Sequence, residues 1–197
     1  MQKETKNKTK TLNTKRLTLQ TPTPDDAKHM LDYVLVNREH LAPWEPIRKA
    51  NYFTIEHWEE QFQKSMELYQ QGREFAILIR SKEDTARNII GQCRLSNIVR
   101  GAFQASHLGY SLAEAEQGKG LMNEALTEVI RYAFEEMHLH RVMANYIPEN
   151  QKSEKVLKKL GFTKEGYAKD YLFLAGKWQD HILTSLVHPN WSPEKLG

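Results

Sequence analysis

Leu121, Met122, Ala125, Leu126, Val129, Ile130, Ala133, Phe134 and Met137 return at helical spacing, the strongest periodic signal in the chain. A helix carrying such a stripe has to bury it against a second apolar surface. Candidate surfaces lie on both sides in sequence. Residues 75–80, 89–98 and 106–112 read as strands separated by polar, turn-forming segments, which predicts an antiparallel meander, and residues 141–147 read as another strand.

The remaining elements follow from local signals. Residues 16–20 alternate as a short strand, and Pro22, Pro24, Asp25 and Asp26 mark a turn into a helix through Ala27, Met30, Leu31 and Val34. Pro43 and Pro46 bar the "LAPWEPI" segment, 41–47, from continuing it. A second helix fits 55–69 and ends at Gly72. Asn150 is placed to cap a helix carrying Val156, Leu157 and Leu160, which Gly161 stops with Phe162 folded back on Leu157. Two last strands fit 167–174 and 181–187, joined by a turn at Ala175-Gly176.

With 197 residues, 40% of them hydrophobic, the chain matches one domain, and no internal repeat divides it. Its net charge of +3 is uneven: residues 1–16 carry +5, leaving −2 for the rest. That lysine-threonine run reads as a solvated tail or as a nucleic-acid arm. Cys93 is the only cysteine, so no intrachain disulfide forms and a reducing, cytoplasmic location is expected. Neither an apolar leader nor a run of about 20 apolar residues is present, which predicts no membrane association.

The helical stripe is entered through "EQGKGLM", in which Gly118 and Gly120 flank Lys119. A helix start presents unpaired N–H groups and the positive end of the helix dipole, and glycines let an anion approach backbone closely. A phosphate site and a plain strand-to-helix turn both fit. The segment is not Gly-x-x-x-x-Gly-Lys-Ser/Thr, since Lys119 lies between the glycines, and no third glycine completes Gly-x-Gly-x-x-Gly.

"HLGYSL", "EQGKGLMNEAL", "RVMANYIPEN" and "QKSEKVLKKLGF" in this order, with "NREHLAPWEPI", "GYAKDY" and "VHPNW", resemble the GNAT superfamily of acyl-CoA N-acyltransferases, in particular its Rim-type branch of ribosomal-protein N-terminal acetyltransferases. The resemblance implies a single-domain α+β (α/β) fold, a mixed, mostly antiparallel twisted sheet of about seven strands flanked by helices, with strands splayed at the acetyl-CoA site. It spans 12–191, leaving a basic tail at 1–11 and a short one at 192–197. Acetyl-CoA is the implied cosubstrate, with no metal; His138 and His140 have no third ligand at the usual spacing.

The resemblance also implies roles. The family's loop, Gln/Arg-x-x-Gly-x-Gly/Ala, falls on Gly118 and Gly120, although its first position is Ala115 here, a departure. Backbone amides of Gln117, Gly118, Lys119, Gly120, Leu121, Met122 and Asn123 would hold the pyrophosphate, and Tyr110, Ser111 and Leu112 the pantetheine arm. Asn150 would contact that arm and Ser153 lie near the sulfur; their plain alternative is a helix cap and its first turn. Ser153 would donate a proton to the thiol, and a main-chain N–H near Leu112 would hold the oxyanion. His107, Glu114 and Asp170 are candidate bases, and Trp44, Tyr33 and Tyr171 candidates to line an acceptor cleft.

The implied reaction is acetylation of the N-terminal alanine of a ribosomal protein, the fifth of the small subunit. An α-amine of pKa ~7.8 costs about 1 kcal/mol to deprotonate at pH 7, against about 4.6 for a lysine, so a relay through water is an alternative to a dedicated base. Two other functions stay open: acetylation of a small amine such as a polyamine or amino sugar, and a ribosome- or rRNA-binding factor acting through the basic tail. Monomer and dimer are both compatible with the chain.

Overall fold

The protein is described by a computed structural model covering residues 9–193. Eight strands form one sheet: β1 (Thr11–Asn13), β2 (Leu17–Gln20), β3 (Phe75–Ser81), β4 (Gly91–Val99), β5 (Ala105–Leu112), β6 (Arg141–Tyr146), β7 (Thr163–Leu174) and β8 (Lys177–Val187). Their order is β1-β2-β3-β4-β5-β6-β8-β7. Every neighbouring pair is antiparallel except β5 and β6, which are parallel and therefore need a crossover between them.

That crossover contains the periodic helix. Of the stripe, all but Met137 lies in α4 (Leu121–Glu135), and those eight residues are buried. The helix packs against one face of the sheet, where Leu17, Leu19, Ile77, Ile79 and Leu95 join its core; Phe75 stacks on Tyr132 at 4.5 Å. Leu78 points into a second core with Met30, Tyr33 and Val34 of α1 (Ala27–Val36) and Trp58 and Phe62 of α3 (Ile55–Gln70). Cover on both faces explains why β3 reads as a continuous apolar run rather than an alternation. Arg80 ends that run, buried, and is neutralised by Asp26 at 2.7 Å.

Two elements differ from expectation. β1 makes the eighth strand and begins where a tail was expected to reach residue 11: the Thr21 amide donates to the Lys10 carbonyl, the Lys10 amide donates to Thr21 Oγ1, and Leu12 is in the core. The rest of that tail, residues 1–8, and residues 194–197 of the C-terminal one lie outside the described residues. A short helix, α2 (Arg38–Leu41), runs up to the proline segment, and a 3-10 turn then covers Ala42–Trp44; Pro43 fits there because the first turn has no use for its missing N–H. Beyond Asn150, α5 (Gln151–Lys159) ends as expected, with Gly161 at φ +87° and the Phe162 amide donating to the Leu157 carbonyl.

Candidate active site

β5 and β6 are paired only where Ala105, Ser106 and His107 face Arg141, Val142 and Met143. Beyond that point β5 continues to Leu112 along β4, and β6 to Tyr146 along β8, without pairing to each other. The expected splay is therefore present, and a cleft of about 510 Å³ opens in it. Leu108 to Ser111 of β5 and Asn145 and Tyr146 of β6 line it, with Asn150 and Ser153 beside them and Trp44, Tyr52 and His57 from the helical side.

Ser153 and Tyr110 meet in this cleft, their hydroxyl oxygens 2.7 Å apart. The Ser153 amide donates to Asn150 Oδ1 at 3.0 Å, so Asn150 is the cap of α5 and the serine hydroxyl is not needed for capping. Burial pushes the Tyr110 phenol up to about 12, so it stays protonated at neutral pH. Ser111 accepts a hydrogen bond from the Tyr33 hydroxyl at 2.9 Å, which ties α1 to the cleft wall. Leu112 is not among the lining residues; it pairs with Gly91, where a Cβ would stand 2.7 Å from the Ser111 carbonyl oxygen.

The glycine turn has φ +76° at Gly118 and +77° at Gly120, the left-handed region where side chains are strained. A Cβ on Gly118 would meet nothing within 4 Å, and one on Gly120 only Arg16 Nη2 at 3.8 Å, so this backbone is open to a ligand. Arg16 holds the turn from behind: it donates to the Lys119 carbonyl at 3.0 Å and pairs with Glu124 at 2.7 Å. Desolvation pushes the Glu124 carboxyl up, but hydrogen bonds from Thr14 and from the Arg16 backbone and guanidinium outweigh it and hold it below the usual carboxylate range.

Of the residues expected at the turn, Leu121 and Met122 put their side chains in the core and offer only main chain. Asn123 donates to the Val156 carbonyl, fastening α4 to α5. Gln117 contacts His40 and Lys152, and Lys119 pairs with Glu116.

The candidate bases fall elsewhere. His107 lies where β5 is still paired on both sides, does not line the cleft, and has its Nδ1 buried without a partner; burial lowers its pKa. Asp170 is exposed in a β7 bulge at φ +47°, its amide donating to Asp180, and Glu114 follows β5 with its amide bound by Asn37. Neither borders the cleft. Trp44 does; Tyr33 reaches it through Ser111, and Tyr171 packs against His181 at 5.3 Å. His181 is a lining residue missed in the sequence, where it reads only as the start of a strand. Among the described residues no group of three His, Cys, Asp or Glu could hold a metal ion, and no helix is long and apolar enough to cross a membrane.

A parallel pair that parts beside a glycine turn and a helix start is an acyl-CoA acyltransferase arrangement, and the chain belongs to the acetyltransferase (GNAT) domain family, whose sequence model matches residues 16–163. It is 44% identical over 182 residues to the ribosomal protein uS5-alanine N-acetyltransferase of Escherichia coli K12, covering 92% of this chain and 93% of that one. Among solved structures, the ribosomal-protein-S5-alanine acetyltransferase of Vibrio fischeri superposes with a TM-score of 0.89 at 42% identity, covering 93% of this chain and all of that one. Mycobacterium smegmatis RimJ, in complex with CoA-disulfide, gives 0.85 at 26% identity, over 97% of this chain and 94% of that one.

Proposed function

We propose that this chain transfers the acetyl group of acetyl-CoA to the N-terminal alanine of ribosomal protein uS5. The observation that carries the chemistry is the cleft at the parting of β5 and β6, with the Tyr110–Ser153 hydroxyl pair on its wall. Identity of 44% to the Escherichia coli uS5-alanine enzyme over nearly both chains supports the acceptor.

The residues present suit the cosubstrate. Main-chain amides from Gly118 to Asn123 would bind the pyrophosphate at the start of a 15-residue helix, where Gly118 and Gly120 leave the backbone uncovered, whereas the Gln117 amide is already donated to the Glu114 carbonyl at 3.2 Å. The unpaired edge of β5 over Tyr110 and Ser111 takes the pantetheine amides, as a strand partner would. Acetyl-CoA supplies the activated acyl group as a thioester. Ser153, with Tyr110 behind it, delivers a proton to the departing sulfur from its Oγ.

Turnover of acetyl-CoA with peptides beginning Ala, Ser or Met, beside spermidine, tests the reading. The alanine peptide is expected to react fastest and spermidine not at all. Rapid spermidine turnover with inert peptides would replace the acceptor with a small amine.

A further inference from the structure

His181 borders the same cleft as Ser153, and the proton delivery described above makes no use of it. It stands on β8 beside Ile182, which pairs with Tyr146 of the cleft wall. Its Nδ1 is 3.0 Å from the Gln179 carbonyl oxygen, which can only accept, so Nδ1 carries the hydrogen and the neutral ring keeps its lone pair on Nε2. Only 3% of the residue is exposed, and Tyr171 packs on the ring, so the imidazole is held in place at the cleft rather than free in solvent.

Other titratable groups on the cleft are poorly suited to accept a proton. Glu45 is paired with Arg48 at 3.0 Å, and Arg94 faces Glu74 at 3.7 Å. Burial pushes the Cys93 thiol and the Tyr52 and Tyr110 phenols up to about 12, and raises Tyr146 as well. Asp180, the neighbour of His181, accepts from the Tyr167 hydroxyl and the Asp170 amide. His57 is the other imidazole, packed against the Tyr52 and Trp58 rings at 5.3 Å each.

We propose that His181 is the general base of the acetyl transfer, taking a proton from the acceptor's α-ammonium group at Nε2; this rests on the functional reading above. The ammonium becomes a neutral amine and the ring an imidazolium. The amine lone pair then forms the C–N bond to the thioester carbonyl carbon, and the C–S bond breaks with its electron pair going to sulfur. The second proton leaves nitrogen for water as the adduct collapses, and Ser153, in contact with the Tyr110 hydroxyl, regains from water the proton that it gives to sulfur. The imidazolium returns its proton to water through the open cleft.

The test compares wild type with His181→Asn and His181→Gln on an alanine peptide across pH. Asn keeps a donor for the Gln179 carbonyl, and Gln is read in the same way should Asn fail to fold. With circular dichroism and calorimetric acetyl-CoA affinity as in wild type, kcat is expected to fall about 100-fold at pH 6.5. By pH 9, above the α-amine pKa of ~7.8, the deficit should shrink below about tenfold because the acceptor arrives neutral. An equal deficit at both pH values, as a packing defect would give, overturns the proposal. So does a pH-dependent loss found in His57→Asn and not at position 181. A wild type inert toward the peptide at every pH would instead overturn the functional reading, and this inference with it.

Discussion

Asn150 supplies the cap of α5, which leaves the Ser153 hydroxyl free to face Tyr110. Ser153→Ala should therefore lower kcat by about 100-fold or more, the scale of general acid catalysis, with acetyl-CoA affinity within a few-fold and little change in melting. Asn150→Ala should behave differently, costing about 1 kcal/mol of stability through the lost cap. Steady-state kinetics, calorimetry and denaturant titration separate the two, and wild-type kcat in Ser153→Ala would assign that hydroxyl a structural role. Both residues were legible in the sequence because they sit three apart on one helix start. The contact of Ser153 with Tyr110 was not, since it joins positions 43 apart in the chain. His107 misled for a related reason: it lies only three positions before Tyr110, yet β5 is still paired to β6 at one and unpaired at the other.

Among the elements, the turn before α4 combines backbone strain with function. At φ +77°, any side chain on Gly120 costs about 1–2 kcal/mol of backbone energy, and Gly120→Asp adds a charge that opposes pyrophosphate. Calorimetry should show acetyl-CoA affinity reduced at least tenfold in a mutant that still folds; unchanged affinity would reject the phosphate role. A second element-scale prediction concerns the buried Arg80 of β3. Asp26→Ala leaves its guanidinium without a counter-charge and should cost about 3–5 kcal/mol in denaturant unfolding. Helices and strands were legible wherever apolar periodicity or a cap marked them, as in α4 and α5. β1 was not, because three residues carry too little pattern, and its place depends on pairing with β2. Pro43 was read correctly as barring the helix from continuing, but its place at the start of a 3-10 turn, where no donor is needed, was not legible.

For the whole molecule, the cleft is formed where strands that are neighbours in the sheet diverge, and its described lining begins at Trp44. Deleting residues 1–13 should accordingly spare the chemistry while removing β1 and the buried Leu12, a loss of about 1.5–3 kcal/mol for that side chain. Thermal melting should drop while turnover at low temperature persists; loss of turnover in the folded truncate would place the N-terminal segment in the site. The sheet order β6-β8-β7 could not be read from the chain, because pairing β8 beside β6 is a long-range choice that local pattern does not encode. That choice is what brings His181 to the cleft. The central claim is transfer to an α-amine, and regiochemistry tests it most directly. A peptide with an N-terminal alanine and an internal lysine, incubated with acetyl-CoA and the enzyme in the presence of spermidine, should carry its acetyl group on the alanine nitrogen alone by tandem mass spectrometry. Acetyl found on the lysine side chain or on spermidine, with the alanine nitrogen unmodified, would contradict the account.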